Sequence, residues 1–549
     1  MIKKSILNFA FFLILNLHGQ SSKQKIENIN FPIEKIQIHN SNNFLITGET
    51  LYYSINCLNN LNLPSPYSTI AYVEIIDKNN TSILKQKVSL NEGHGYGDIF
   101  INSKIKSGTY KIVGYTQLMK NHKAFYEQEL YVINPFTSKI KVKNTSTYLP
   151  DYKSTNKKAF SNLKSDYKRR EKVKINLENT VIDNIEKLSV SIRKTNDFNL
   201  PNRKGEFKSN GKNQTFYLPE LRGSLIHGKL TSTTNKNLAN INLSIATQHN
   251  DRLPINVTTN IKGEFFFNLT NITDDKVYIQ IVNQPKNEYQ ISIIPHKGIE
   301  KKFNDFTTIT IDDKIATAIQ KRNIYAQIEN SYADVKKDTI INIKSKSNLF
   351  SKIKETYNLD DYKRFKTTKE TFIEIIPLAG FNSKNNNYQF YVIPDNASKI
   401  FRHLNALVIV DGRILQNHND LINYDARKIK SIAIVRSEYY YGNSRYKGVI
   451  LVDTFKNDFF NNSIGASDSY TIMPTEPYKK YFFQSEKNRM DTRIPDYRTQ
   501  LYWNPNLDIT SKAIVFFTSD VTGKFEIEIE GFTKKGVPIY IKDYFTVNE

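Results

Sequence analysis

The chain has 549 residues, enough for three to five domains at roughly 100–200 residues each, and its 39% hydrophobic content suits several small cores better than one very large one. The formal charge of +23 is spread along a chain rich in Lys, Asn and Ile, which argues against a nucleic-acid partner. Aromatics reach 12%, with 33 Tyr and 33 Phe set inside alternating runs, which argues against disorder and for β-structure.

The N-terminus, "MIKKSILNFAFFLILNLHGQ", joins Lys3 and Lys4 to an apolar run from Ile6 to Leu17 and the small Gly19. This is the build of a secretory signal peptide over 1–19, with a signal anchor as the alternative reading. The run falls short of the about 20 apolar residues of a membrane-spanning helix. Cys57 is the only cysteine, so an exported chain has no internal disulfide and its domains hold by their cores alone. The expected address is the periplasm or the outer membrane and cell surface of a Gram-negative bacterium.

From 24 to 136 the text is β throughout. "FLITGETLYYSINCL", "TIAYVEIIDKNNTSILKQKVSL", "GHGYGDIFINSKIKSGTYKIVGYTQLM" and "YEQELYVINPF" give about six short strands separated by turns, as in a β-sandwich. This stretch resembles the macroglobulin-like sandwich of alpha-2-macroglobulins, and "DYKRREKVKINLEN" with "KLSVSIRKTNDF" resembles a second, shorter unit over 137–217. Protease-trapping macroglobulins carry a thioester in a Cys-Gly-Glu-Gln motif. Here Cys57 is followed by Leu-Asn-Asn, so the resemblance implies the scaffold without the trap. Cys57 alternates with apolar neighbours and reads as a buried small hydrophobe.

Residues 218–300 resemble the carboxypeptidase regulatory-like sandwich, a fold with no catalysis of its own, with Gly263 in "NIKGEF" at a tight turn. Residues 301–366 read as linker and helix. In "TTKETFIEIIP", Thr367 and Glu370 have capping-box spacing and Pro377 ends the helix. "ALVIVDGRIL" places Asp411-Gly412 between apolar runs, the signal of a type I′ hairpin. A glycosidase acid would need a second carboxylate across a pocket, and Asp411 reads as a turn residue.

"VIVDG", "IKSIAIVRS", "YYYG" and "KGVILVDT" make 367–456 similar to the plug domain of TonB-dependent outer-membrane receptors. The 94 residues after Phe455 are too few for the barrel that accompanies a receptor plug, so the expectation is a plug-like module without energy-coupled uptake. Residues 457–489 read as a linker and 490–549 as a C-terminal β unit. The whole order is similar to a family of exported Bacteroidetes proteins.

The expected fold class is therefore mainly β: tandem macroglobulin-like, Ig-like sandwiches plus a small α+β plug-like domain. None of the histidines forms a zinc-helix pattern, and no nucleophile elbow or P-loop appears. No catalytic residue, metal or cofactor is expected. Binding candidates are Tyr439, Tyr440, Tyr441 and Arg445 in the "EYYYGNSRY" loop and Trp503 in "LYWNP", with core packing as the plainer reading of the rings. Gly263, Gly412, Gly442 and Gly448 read as structural turns. The reading is a non-enzymatic envelope protein that binds or scaffolds an outer-membrane protein or a transport or secretion complex. The alternative is a surface adhesin. The basic stretch Phe136 to Arg222, with 20 basic against 9 acidic residues, suits an anionic glycan or lipid headgroup.

Overall fold

The computed structural model describes residues 32–136, 159–178, 185–196, 205–211, 213, 215–247, 253–270, 273–282, 284, 286–308, 311–341, 354–394, 404–462, 468–482, 493–507 and 513–549. The signal peptide expected at 1–19 lies outside them, as do parts of the expected linkers at 301–366 and 457–489. The described chain is mainly β, built as stacked sandwiches with one α+β module.

The first sandwich packs a three-stranded sheet, Lys35–Asn40, Thr50–Leu58 and His94–Phe100, on a larger sheet built around Ala124–Ile133, Gly108–Tyr115 and Ile70–Ile76. Period-two alternation sends Ile36, Ile38, Leu51, Tyr53, Ile55 and Cys57 into the shared core. Cys57 is fully buried, and burial, with the Glu34 carboxylate beside it, pushes its thiol pKa up. Gln37, His39, Tyr52 and Ser54 occupy the alternate positions and meet the second sandwich: Gln37 and His39 hydrogen-bond Glu530 and Ser189, Tyr52 stacks toward Trp503, and the Ser54 hydroxyl donates to Pro505 O.

The second sandwich corrects the expected division into separate units at 137–217 and 490–549. Its five-stranded sheet runs in the order Asp166–Lys168, Pro538–Asn548, Gly523–Thr533, Ile185–Lys194 and Gln500–Asn504. Its second sheet pairs Ala513–Phe517 with Lys172–Leu177, and that with Phe160–Ser161. Leu188, Val190 and Ile192 are buried among Ile527, Ile529, Leu501 and Phe525, so each half supplies the apolar face the other needs. Sequence spacing alone does not reveal such a discontinuous partner. Glu206–Ser209, expected in this unit, instead pairs with Ala124–Glu127 of the first sandwich.

A third sandwich pairs Glu264–Leu269, Ser224–Ser232 and Tyr289–Ile293 against Ile255–Thr258, Asn242–Thr247, Lys276–Ile281 and Asp468–Thr471. The last strand comes from the segment expected to be a linker, and returns after the α+β module has been built. That module has a sheet in the order Lys354–Asn358, Ile429–Val435, Val449–Thr454, Leu407–Val410 and Arg413–Ile414. Thr367 and Glu370 form the capping box of the helix Thr368–Glu374, which buries Phe372 against Phe390. A longer helix, Asp313–Ser331, starts at the Asp312 cap and lays Ile315, Ile319 and Ala326 over Phe44, Ile46 and Tyr131 of the first sandwich. Arg322 fixes it there, donating to both oxygens of Glu49 at 2.5 and 2.8 Å, to Phe44 O and to Asn196.

Removing residues 490–549 is expected to expose Ile185–Lys194 to limited proteolysis while the first sandwich stays resistant. Retained protection of that strand in the truncated chain would mean the two halves fold separately.

Candidate functional site

Asp411 sits at a two-residue turn closed by the pair Val410 and Arg413, with φ of 47° at Asp411 and 75° at Gly412. Its carboxylate is taken up by donors of the same module. Oδ1 accepts from Thr454 N at 2.8 Å, and Oδ2 accepts from the Thr454 hydroxyl at 2.8 Å and Phe459 N at 3.2 Å. Asp411 N donates to Val452 O. The side chain, 4% exposed, ties the turn to the end of the neighbouring strand and to the segment after it. Such a carboxylate satisfies backbone donors that would otherwise be buried without acceptors. Gly263, Gly442 and Gly448 also have positive φ, 74°, 58° and 95°.

The three tyrosines do not form one binding patch. The hairpin Tyr439–Tyr441 and Ser444–Tyr446 lies against the third sandwich. Tyr441 is buried with Val282, Leu407, Ile409 and Val449, and burial pushes its phenol well up. Tyr439 and Tyr446 pack at the edge of that cluster. Only Tyr440 is outside, 63% exposed, with the Arg445 guanidinium 5.4 Å from its ring and paired to Glu438. The loop therefore cements two modules, further tied where Gln280 exchanges hydrogen bonds with Ile414 at 2.9 and 3.1 Å.

Trp503 is likewise corrected as an exposed binding ring. It is 1% exposed and lies between His39, at 5.2 Å, and Tyr52, at 6.2 Å, where the first and second sandwiches meet. Its cross-strand neighbour is Ser191. A row of charges continues across the same sheet: Arg193 contacts Glu526 and Glu528, and Lys542 reaches them at 3.2 and 3.6 Å. Burial opposes ionisation of Glu528, but Lys542 and Arg193 outweigh it and hold its pKa below the ordinary range. A cavity of about 660 Å³ opens beside this contact, lined by Tyr52, Arg193, Arg322, Glu329, Arg498 and Trp503. Its arginines are engaged by Glu526, Glu49 and Asp496, so the walls are held by their own ion pairs.

Another titratable cluster has no short sequence motif, because it gathers residues far apart in the chain. On the outer face of the first sandwich, His296 stacks on Tyr72 at 3.9 Å, and its ring nitrogens meet Tyr115 at 3.2 Å and Gln117 at 2.8 Å. The Tyr115 hydroxyl donates to Glu74, which pairs with Lys85 at 3.1 Å. Burial, then Lys85, Lys120 and Lys87, depress the His296 pKa to about 2, so the ring stays neutral. Glu220 enters from the segment joining the first sandwich to the third. It accepts from Tyr72 at 3.0 Å and from Leu225 N at 2.9 Å, while Oε2 meets no donor. Burial raises its pKa to about 7, against the opposing pull of Lys87 and Lys120. Lys87 donates to Ser224 at 2.7 Å. This cluster is a polar clamp holding the third sandwich to the first. Among the described residues no group of three His, Cys, Asp or Glu side chains could hold a metal ion.

No protein-family model and no curated protein matches the chain. Solved structures similar to it include alpha-2-macroglobulin from Salmonella reacted with methylamine, at 8% identity and a TM-score of 0.24 over 94% of this chain and 39% of that one. Trypsin-activated alpha-2-macroglobulin from Escherichia coli gives 7% identity and 0.23 over 94% and 41%. Dimeric latent PorU from Porphyromonas gingivalis gives 8% and 0.16 over 48% and 34%. The chain spans about two fifths of the length of these macroglobulins, and at such scores nothing about activity passes to it.

Asp411→Ala is expected to lower unfolding stability by about 3 kcal/mol, because three buried donors lose their acceptor. An unchanged chemical-denaturation midpoint would contradict this. The Glu220 carboxyl, with its folded pKa of about 7 above the ordinary 4.5, binds its proton more tightly in the folded protein. Its contribution is fully present below about pH 4.5 and lost as pH rises through about 7, a fall of up to about 3 kcal/mol. Glu220→Gln is expected to flatten stability between pH 5 and 8 relative to the unsubstituted chain. Parallel pH profiles for the two proteins would refute the assignment.

Proposed function

We propose that the chain is a non-enzymatic cell-envelope protein whose plug-like module, carried on interlocked sandwiches, docks onto an outer-membrane protein. The observation that carries this reading is the strand Lys354–Asn358. It pairs on one side with Ile429–Val435, and no described strand covers its other edge. Glu355, Thr356 and Asn358 along it are exposed, and Tyr362 nearby is 44% exposed. An open edge offers unpaired backbone donors and acceptors to an added strand, with flanking side chains supplying selectivity. The charged residues of the strand guard it against indiscriminate pairing, which suits a specific partner. The resemblance of "VIVDG", "IKSIAIVRS" and "KGVILVDT" to receptor plugs supports an outer-membrane protein as that partner.

Tyr440 favours a second reading, a glycan-binding surface protein, since one exposed ring beside a guanidinium can stack on a sugar. A photo-crosslinker at Thr356 in intact cells decides between them. The docking reading expects an adduct with an outer-membrane barrel protein, absent when the crosslinker sits at the exposed Lys262. A soluble, adduct-free pool, with glycan-array binding abolished by Tyr440→Ala, would favour the second reading.

A further inference from the structure

The segment 299–308 leaves the third sandwich and packs on the first, shortly before the helix Asp313–Ser331. Hydrogen bonds fix it on both sides of Asp305. Phe303 N donates to Asn80 Oδ1 at 2.6 Å, and Phe303 O accepts from Asn80 Nδ2 at 3.1 Å. Thr307 N donates to Glu129 Oε1 at 2.9 Å, and Thr307 O accepts from the Thr109 hydroxyl. Phe303, 1% exposed, and Phe306 flank the Lys111 ammonium, their ring centres 5.4 and 5.6 Å from Nζ.

Lys111, on the strand Gly108–Tyr115, has 3% of its side chain exposed, and its ammonium meets two carboxylates. Asp305 Oδ1 lies 2.9 Å from Nζ, and Glu127 Oε1, on the neighbouring strand, lies 3.3 Å away. Glu129, directly across from Lys111 in the ladder, is engaged by Thr307 and Tyr131. Glu127 also pairs with Lys208, while its Oε2 meets no donor among the described residues. Burial opposes ionisation of Asp305, but Lys111 outweighs it and holds the carboxyl below its ordinary range. The contact is thus an ammonium against a carboxylate, which together hold the atoms of one amide and one water.

We propose that Lys111 and Asp305 condense into an intramolecular amide that fastens this segment to the first sandwich. Lys111 Nζ passes one proton to Glu127 and attacks Asp305 Cγ. As the C–N bond forms, Nζ passes a second proton to the carboxyl oxygen that leaves. Glu127 returns the first proton to that oxygen. Water departs, the amide nitrogen keeps one proton, and Glu127 ends as a carboxylate. The step consumes no oxidant and no activated donor. Holding amine and carboxyl in contact gives the pair an effective concentration far above that of free groups, which favours amide over hydrolysis. The amide also removes a buried ammonium, whose desolvation the ion pair must otherwise offset. The Asp305 side chain is 56% exposed, so the released water has a way out. Cys57 is the only cysteine, so the chain closes no loop by a disulfide of its own. The amide supplies such a closure in a form that reduction does not undo. It stands apart from the docking reading and does not depend on it.

Peptide mapping of the purified full chain by mass spectrometry tests this. The tryptic peptides 107–120 and 303–314 are expected as one linked species, lighter than their sum by about 18 Da, one water. Fragmentation is expected to place the bond between Lys111 and Asp305. Lys111→Arg and Asp305→Ala are each expected to abolish the linked species, and Glu127→Gln to lower its yield about tenfold or more. Recovery of both peptides unlinked from the unsubstituted chain would reduce the contact to an ordinary ion pair and overturn the proposal. So would a bond through Glu127 in place of Asp305. An undiminished yield in Glu127→Gln would overturn the role given to that residue. The unsubstituted chain decides the central claim by itself, so the test holds where a variant folds poorly.

Discussion

The antiparallel ladder between Ile185–Lys194 and Gly523–Thr533 is the constraint on which the rest of the molecule depends. It joins a strand from the first half of the chain to one near its end, so everything between residues 195 and 499 is a closed excursion from one sandwich. Closing so long a loop carries an entropic cost, offset by the apolar faces that Leu188, Val190, Ile192, Ile527 and Ile529 bury together. On the opposite face of the same ladder, Arg193, Glu526, Glu528 and Lys542 form a buried charge row. Removing one member would strand its partners, at a cost of about 3–5 kcal/mol. Such a row fixes register more than it adds net stability.

The same logic repeats at smaller scale. The third sandwich leaves an edge on Lys276–Ile281 that Asp468–Thr471 fills only after the α+β module is complete. Asp411, Tyr441 and Gln280 then lock the module internally and onto its neighbour. Asp411 is engaged by backbone and hydroxyl donors, His296 by stacking on Tyr72, and Arg193 by its ion pairs. At the periphery lie the open edge of Lys354–Asn358 and the exposed ring of Tyr440.

Local patterns were readable where a single short segment determines the outcome. Alternation in "TLYYSINCL" gives the inward residues of its strand, Thr367 and Glu370 give the cap, and Asp411-Gly412 gives the turn. The long-range pairings were not. "KLSVSIRKTNDF" looks complete in itself, and nothing local says that its neighbours are "GKFEIEIEGFT" and "QLYWN". Trp503 looked available for the same reason: the His39 and Tyr52 rings that cover it are distant in sequence. The clamp around His296 and Glu220 draws on five separate stretches, so no spacing rule could announce it.

Hydrogen exchange followed by mass spectrometry on the intact chain tests the interlocking most directly. The amides of Ile185–Lys194 and Phe525–Thr533 are expected to open together, with one free energy and one denaturant dependence. Exchange of Ile185–Lys194 at a markedly lower opening free energy than Phe525–Thr533 would show that the two halves do not form one cooperative sandwich.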